Sequence, residues 1–251
     1  MDIKTTTDAQ PCVSFGRALL VLGRVSNLPT IWSNCLCGWL IGVSYLGKVN
    51  ESIDWSMILW LCVGASAMYI GGMFLNDACD TKFDKQYRKE RPIPSGAINE
   101  RTVWKIGIAL LAVGMGLLSI QGGTTALLML GLFNCILIYN FTHKKLAWSP
   151  ILIALCRWFL ILVAGAFAFN TVNSDGLFFQ NPCGGLAMWT AVVLFLYVVG
   201  LSMLAKVESD PGLVRFWPCL LLAAPVLLAL FVNPSDEGRE DVLLVSGVLG
   251  L

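Results

Sequence analysis

Long uncharged stretches separated by short charged loops lay out this chain before any motif does. Val25–Gly47, Trp55–Asn76, Ile106–Thr142, Gly176–Ala205 and Phe216–Ser235 contain no Asp, Glu, Lys or Arg. Crossing a bilayer takes about 20 apolar residues, so most of these runs account for one helix each. Ile106–Thr142 is too long for one. It breaks at Gln121-Gly122-Gly123-Thr124-Thr125, which reads as a tight turn between two helices. Trp148–Asn170 reads as a further span despite Arg157. The pattern predicts an all-α, polytopic transmembrane helical bundle with seven spans, near 25–47, 55–76, 104–120, 125–141, 148–169, 186–205 and 214–232. Residues 1–16 read as an N-terminal tail, and Met1–Pro11 lacks the basic start, apolar stretch and cleavage site of a secretory signal. Residues 17–251 read as one transmembrane domain. Its last stretch, Val242–Leu251, is apolar but too short to cross; it reads as a partial or interfacial helix or, in preference, as a truncated eighth span.

Composition agrees. Of 251 residues, 57% are hydrophobic and only 13% charged, which places the chain among integral membrane proteins. The net charge of +1 conceals an asymmetry. The loops after spans two, four and six carry Lys82, Lys85, Arg88, Lys89, Arg91, Arg101, Lys144, Lys145, Lys206 and Arg215; the alternate loops carry only Lys48 and Arg239. Positive charge stays on the cytoplasmic side, or its stromal or matrix equivalent, so the loop after span two is expected there. Because these basic residues flank membrane spans, they suggest no nucleic-acid partner. The cysteines are scattered singly, with neither zinc-type spacing nor a C-x-x-C pair.

The chemistry begins where span two ends. Residues 76–84 read Asn-Asp-Ala-Cys-Asp-Thr-Lys-Phe-Asp, an N-D-x-x-D-x-x-x-D run emerging from an uncharged stretch. Carboxylates at the edge of hydrocarbon are expensive without a partner. Mg²⁺ is the expected one, since it takes oxygen ligands and is commonly shared between one or two carboxylates and substrate phosphates. If the helix continues, Asn76, Asp77, Asp80 and Asp84 share roughly one face. A solvated acidic loop is the plainer reading, but four ligand-type residues followed by a basic run favour the metal site. Lys82 to Arg91 supplies cations suited to phosphate oxygens, although ordinary loop topology accounts for part of that charge. Arg91-Pro92-Ile93-Pro94-Ser95-Gly96 then predicts a rigid turn, placed to cover a cavity like a lid.

Polar residues inside the spans add to this. Arg157 lies mid-span, where a charge should face the bundle interior and meet either a structural partner or an anionic ligand. Asn27 and Asn34, seven residues apart, are expected on one face of span one, lining a pocket or bonding between helices. Pro29 is expected to kink that span. Phe74, Trp158 and Phe167 are possible aromatic walls for a cationic intermediate.

N-D-x-x-D-x-x-x-D followed by R-P-I-P-S-G resembles the UbiA superfamily of membrane prenyltransferases. The resemblance extends from Arg24-Val25-Ser26-Asn27-Leu28-Pro29 to the loop after span six. It implies a helical bundle, usually of nine spans, that moves an isoprenoid chain from its diphosphate to an aromatic or related acceptor with Mg²⁺. Carried onto this sequence, it makes Asn76, Asp77, Asp80 and Asp84 the residues for Mg²⁺ and diphosphate, with Asp77, Asp80 and Lys144 central to catalysis. Arg91 would approach the phosphates or order the lid. Tyr139-Asn140-Phe141-Thr142-His143-Lys144-Lys145 is similar to the family's tyrosine-to-lysine stretch, with its first lysine one place late. There Tyr139 would contact substrate, unless it is simply an interfacial tyrosine. His143, the sole histidine, reads more readily as a loop cap than as a base. With Asn27, Asn76 and Arg157, Arg91 and Tyr139 complete the expected substrate contacts. One departure stands out: the family's second acidic motif is reduced to Glu208 and Asp210 in Ser202–Asp210. In this the chain resembles the divergent branch known as EboC. The alternative is a non-catalytic UbiA-like protein that binds or carries an isoprenoid or amphipathic metabolite. A CDP-alcohol phosphotransferase is disfavoured, because its D-G-x-x-A-R run is missing.

Overall fold

The computed structural model describes residues 14–44, 54–143, 149–172, 177–208 and 221–222. These residues form eight α-helices and two short 3-10 turns, with no strand among them. The helices are α1 (Phe15–Leu22), α2 (Leu28–Ser44), α3 (Trp55–Cys79), α4 (Thr81–Tyr87), α5 (Glu100–Ser119), α6 (Gly123–Thr142), α7 (Ser149–Val172) and α8 (Pro182–Glu208). Five of them, α3, α5, α6, α7 and α8, are long and apolar enough to cross a membrane. They correspond to spans two to six of the expected seven. The seventh, 214–232, falls almost wholly outside the described residues, as does the expected eighth.

The first expected span differs most. Val25–Asn27 is a 3-10 turn, and α2 starts only at Leu28 and runs for 17 residues. Asn27 therefore precedes the helix that carries Asn34. Pro29 sits in the first turn of α2, where its missing N–H needs no acceptor, so it begins the helix instead of kinking it. Helix α1 starts at Phe15, inside the stretch expected to be tail.

Helix starts follow local chemistry. The Asp54 carboxylate accepts from the backbone N–H groups of Ser56 (3.0 Å) and Met57 (3.4 Å) at the head of α3. The Asn99 side-chain oxygen accepts from Arg101 N–H (3.0 Å) at the head of α5. Gly122, with φ +129°, makes the expected turn between α5 and α6.

Helix α7 is the centre of the bundle. Every residue from Leu160 to Phe169 is buried, as expected for a helix that is apolar all round. It packs against α2, α6 and α8, while α3 packs chiefly on α5. Glycines bring two of these pairs close. A Cβ added to Gly38 would lie 2.6 Å from the Ile161 carbonyl oxygen across the α2–α7 contact. One added to Gly71 would lie 2.9 Å from the Gly107 carbonyl oxygen across the α3–α5 contact. Only glycine permits that approach, which small residues at membrane helix interfaces provide. Phe167 is fully buried against Trp39 (centroids 6.2 Å apart), and Phe74 is buried in a second, smaller core. Both pack the interior of the bundle.

Candidate active site

The acidic motif lies at the junction of α3 and α4. Helix α3 ends at Cys79, Asp80 caps it, and α4 carries Asp84. The i→i−4 bonds nevertheless continue, from Asp80 N–H to Asn76 O (3.0 Å) and from Asp84 N–H to Asp80 O (2.9 Å). The buried Thr81 hydroxyl donates to the carbonyls of Ala78 (2.9 Å) and Asp77 (3.3 Å), tying the junction together. Asn76, Asp77, Asp80 and Asp84 are all buried, with Asp84 only 2% exposed. Four polar side chains on one buried face over about two helical turns need partners.

Arg91 is the first partner. One guanidinium nitrogen bonds Asp77 Oδ1 and Asp84 Oδ2, each at 3.1 Å. The expected turn positions it: Ser95 N–H bonds Arg91 O (2.9 Å), Gly96 N–H bonds Ile93 O (3.1 Å), and Gly96 takes φ +79°. Beneath the turn, Ile93 and Ile98 are buried with Leu22, Phe74, Ala78 and Val103. This small core fixes the loop over the end of α3 and draws α1 in beside it.

Two residues that pattern and motif had not assigned to the site also reach it. Arg24 follows α1 with a left-handed backbone (φ +43°), uncommon outside glycine, and its guanidinium lies 3.9 Å from Asp77. His143 lies one turn after Tyr139, stacked on its ring (centroids 5.1 Å apart). Its Nε2 is 3.4 Å from Asp80 Oδ2, and its Nδ1 is 3.1 Å from the Tyr139 carbonyl oxygen. His143 is the C-cap of α6, its backbone N–H on the Tyr139 carbonyl (2.9 Å) as the loop-cap reading expects, and the contact to a carboxylate adds to that role. Asn140 holds α6 in place by donating to the Gly72 carbonyl of α3 (3.1 Å), buried beside the same site. Arg24 and His143 are 53 and 63 residues from the carboxylates they face. Only the fold brings them there.

Other expected site residues are dispersed. Asn27 is exposed; it lines an open groove of about 420 Å³ with Leu20, Val21, Arg24, Val25 and Ser26. Arg157 on α7 is half-buried and bonds Thr30 of α2, away from the acidic cluster. Lys144 lies outside the described residues, as do Asp210 and the side chain of Glu208.

The donor set fits a hard cation in part. Among the described residues, no three His, Cys, Asp or Glu side chains already converge in a metal-holding group. Arg91 stands between Asp77 and Asp84 instead. Asp84 Oδ1, however, is buried without a hydrogen-bond partner. Mg²⁺ needs only one or two carboxylates when phosphates and water supply the remainder. The oxygen-only set of Asn76, Asp77, Asp80 and Asp84 suits it.

The profile of the UbiA prenyltransferase family matches residues 37–211. The chain belongs to that family. Among UbiA relatives, a digeranylgeranylglyceryl phosphate synthase of Ignicoccus hospitalis is 36% identical over 98 residues, covering 39% of this chain and 29% of that protein. Another, from Metallosphaera sedula, is 26% identical over 200 residues, covering 78% of this chain and 55% of its own length. The chain thus spans about half or less of these relatives. The solved structure of a UbiA homolog from Archaeoglobus fulgidus bound to DMAPP and Mg²⁺ superposes with a TM-score of 0.59 at 14% identity, covering 92% of this chain and 84% of that one. At that identity the likeness shows a shared UbiA fold.

Proposed function

We propose that this UbiA-family chain is an integral-membrane, Mg²⁺-dependent prenyltransferase that moves an isoprenoid chain from its diphosphate to a lipophilic or aromatic acceptor. The observation that carries the reading is the buried Asp77–Asp80–Asp84 cluster at the mouth of an apolar bundle, with cations on both sides and an unsatisfied oxygen on Asp84. A cluster built only for stability would satisfy that oxygen. Asn76, Asp77, Asp80 and Asp84 would hold Mg²⁺. When bound, the ion supplies Lewis-acid neutralisation of the leaving group.

The chain's own residues do the rest. Arg91 and Arg24, already at the carboxylates, turn part of their donor capacity to the phosphate oxygens, and Lys144 adds a further cation. The C1–O bond of the donor breaks with its electron pair leaving on the diphosphate. The acceptor's nucleophile bonds C1 and gives up its proton to the departing diphosphate. Tyr139, held by the stack on His143, presents its ring and phenol toward the reacting ends. Asn27, in the groove it shares with Arg24, and Arg157 contact the substrates. The apolar bundle keeps the isoprenoid tail out of water and excludes water from the cation that forms at C1. The acidic loop faces the cytoplasm or its stromal or matrix equivalent.

The test is Mg²⁺-dependent pyrophosphate release from geranyl, farnesyl and geranylgeranyl diphosphates with a panel of lipophilic acceptors, using the chain in membranes. Release lost in Asp77→Ala/Asp80→Ala supports the transferase. Silence alongside Mg²⁺-dependent diphosphate binding overturns it in favour of a carrier.

A further inference from the structure

Arg157 is placed unlike the other site cations. Arg91 and Arg24 face carboxylates; Arg157 has no carboxylate in ion-pair range among the described residues. Its partners are neutral and come from α2: Nη1 donates to the Thr30 carbonyl (3.0 Å) and Nη2 to the Thr30 hydroxyl (2.8 Å). With the Asn34 amide turned so that its oxygen faces Arg157, that oxygen accepts from Nη1 at 3.2 Å. A guanidinium has five N–H donors, so these bonds leave donors over.

The sequence of α2 explains the arrangement. Thr30, Asn34, Gly38 and Gly42 repeat at four-residue intervals along one stripe facing α7. At the far end the glycines let the two backbones close, against Ile161 and Gly165. At the near end, the polar pair and the Arg157 side chain occupy the space between helices. A charged side chain in a span is costly, and a neutral clamp of Gln or Ser would join Thr30 to Asn34 without that cost.

The location is also suggestive. Tyr69 and Cys156 are within electrostatic reach of Arg157, and Cys156 and Asp80 are within reach of Tyr139. Tyr69 lies two turns below Asn76 on α3, about 10 Å deeper at 1.5 Å per residue. A cation with spare donors thus sits within reach of Tyr69, deeper along the bundle than Asn76.

We propose that Arg157, steadied by Thr30 and Asn34, is the subsite for an anionic group on the acceptor, a phosphate monoester or carboxylate carried on a lipophilic body. This rests on the transferase reading for the word acceptor, but not for the binding itself. Two stations of opposite sign keep the substrates in order: the carboxylates take the diphosphate only with a divalent cation, and Arg157 takes a free anion without one.

That difference supplies the experiment. Binding of dodecyl phosphate and of its dimethyl ester is measured to the full chain in phosphatidylcholine nanodiscs, with EDTA present. The acidic cluster repels an anion under these conditions. Wild type is expected to bind the phosphate about tenfold more tightly than the ester, the scale of one charge-assisted contact. Arg157→Gln should abolish the preference, and Asp80→Asn should leave it intact. Asn34→Asp guards against a folding defect in Arg157→Gln, because it keeps the interhelical bonds while placing a carboxylate beside the guanidinium. It too should abolish the preference. A purely structural clamp predicts a preference unchanged by Asn34→Asp. Equal binding of phosphate and ester by wild type, or a preference surviving in either variant, overturns the proposal. Failure of prenyl transfer with the phosphate preference intact would remove the transferase reading and leave this subsite standing.

Discussion

One nitrogen of Arg91 bonds both Asp77 and Asp84, at 3.1 Å each, and so holds together carboxylates seven residues apart. The loop carrying Arg91 therefore does more than cover the site. It supplies the positive charge that lets two buried acids coexist in the absence of metal. On the proposed function, a divalent cation arriving with diphosphate would compete for the same oxygens.

Arg91→Ala should accordingly lower stability in EDTA by on the order of 3 kcal/mol, the scale of breaking a buried ion pair from one side. Millimolar Mg²⁺ should recover much of that loss, and should raise the melting temperature of the variant more than that of wild type. Thermal melts of purified protein with and without Mg²⁺ decide it. An equal Mg²⁺ response in both proteins would mean that Arg91 and the cation do not share these carboxylates.

Asp80 and His143 face each other across α3 and α6. Asp80→Asn should lower Mg²⁺-dependent pyrophosphate release on the order of 100-fold. His143→Ala, removing the group that orients Asp80 and stacks on Tyr139, should lower it roughly tenfold. Initial rates at saturating donor give both numbers. A wild-type rate for Asp80→Asn would take Asp80 out of the mechanism.

The long apolar helices were readable from charge alone. Trp55–Asn76 lacks any charge and became α3; the two glycines at 122 and 123 marked the α5–α6 turn correctly. Short elements were not readable. Helix α1, the turn at Val25–Asn27 and helix α4 are too short to show a period, and tertiary contacts hold them, as Leu22 does for α1. Within the site, the acids and Arg91 share one local stretch and so announced themselves. Arg24 and His143 gave no such signal, because their partners are more than fifty residues away. His143 carried a faint clue, standing four residues after Tyr139 where the resemblance would place a lysine. The glycines at 38, 71 and 107 read only as small residues in apolar runs until the helices they join were known.

Helix packing gives a matched pair of variants. Gly71→Leu forces a side chain into the Gly107 backbone and Leu111, and should cost about 1–3 kcal/mol. Gly116→Ala meets nothing within 4 Å and should be neutral or stabilising by up to about 1 kcal/mol. Melting of both in the same detergent checks the contrast. Equal behaviour would mean that α3 and α5 are not closely apposed in the membrane.

Sidedness can be read at Ser95, exposed in the turn after Arg91. Ser95→Cys should react with a membrane-impermeant maleimide in inside-out vesicles and stay unreacted in right-side-out ones. The reverse pattern would place the acidic loop on the opposite face.

The glycine contacts have a mechanical consequence. Helices α3 and α5 close on each other through Gly71 and Gly107, whereas α2, α6 and α8 gather around α7; contact between the two groups is thinner. The bundle is therefore a jaw with two stiff halves. Asp77, Asp80, Asp84 and Arg91 ride on one half, while Tyr139, His143 and Arg157 ride on the other. On the proposed function, an isoprenoid tail would enter from lipid along the seam between the halves. Closing on the diphosphate and setting the distance between the two substrates would then be a single movement.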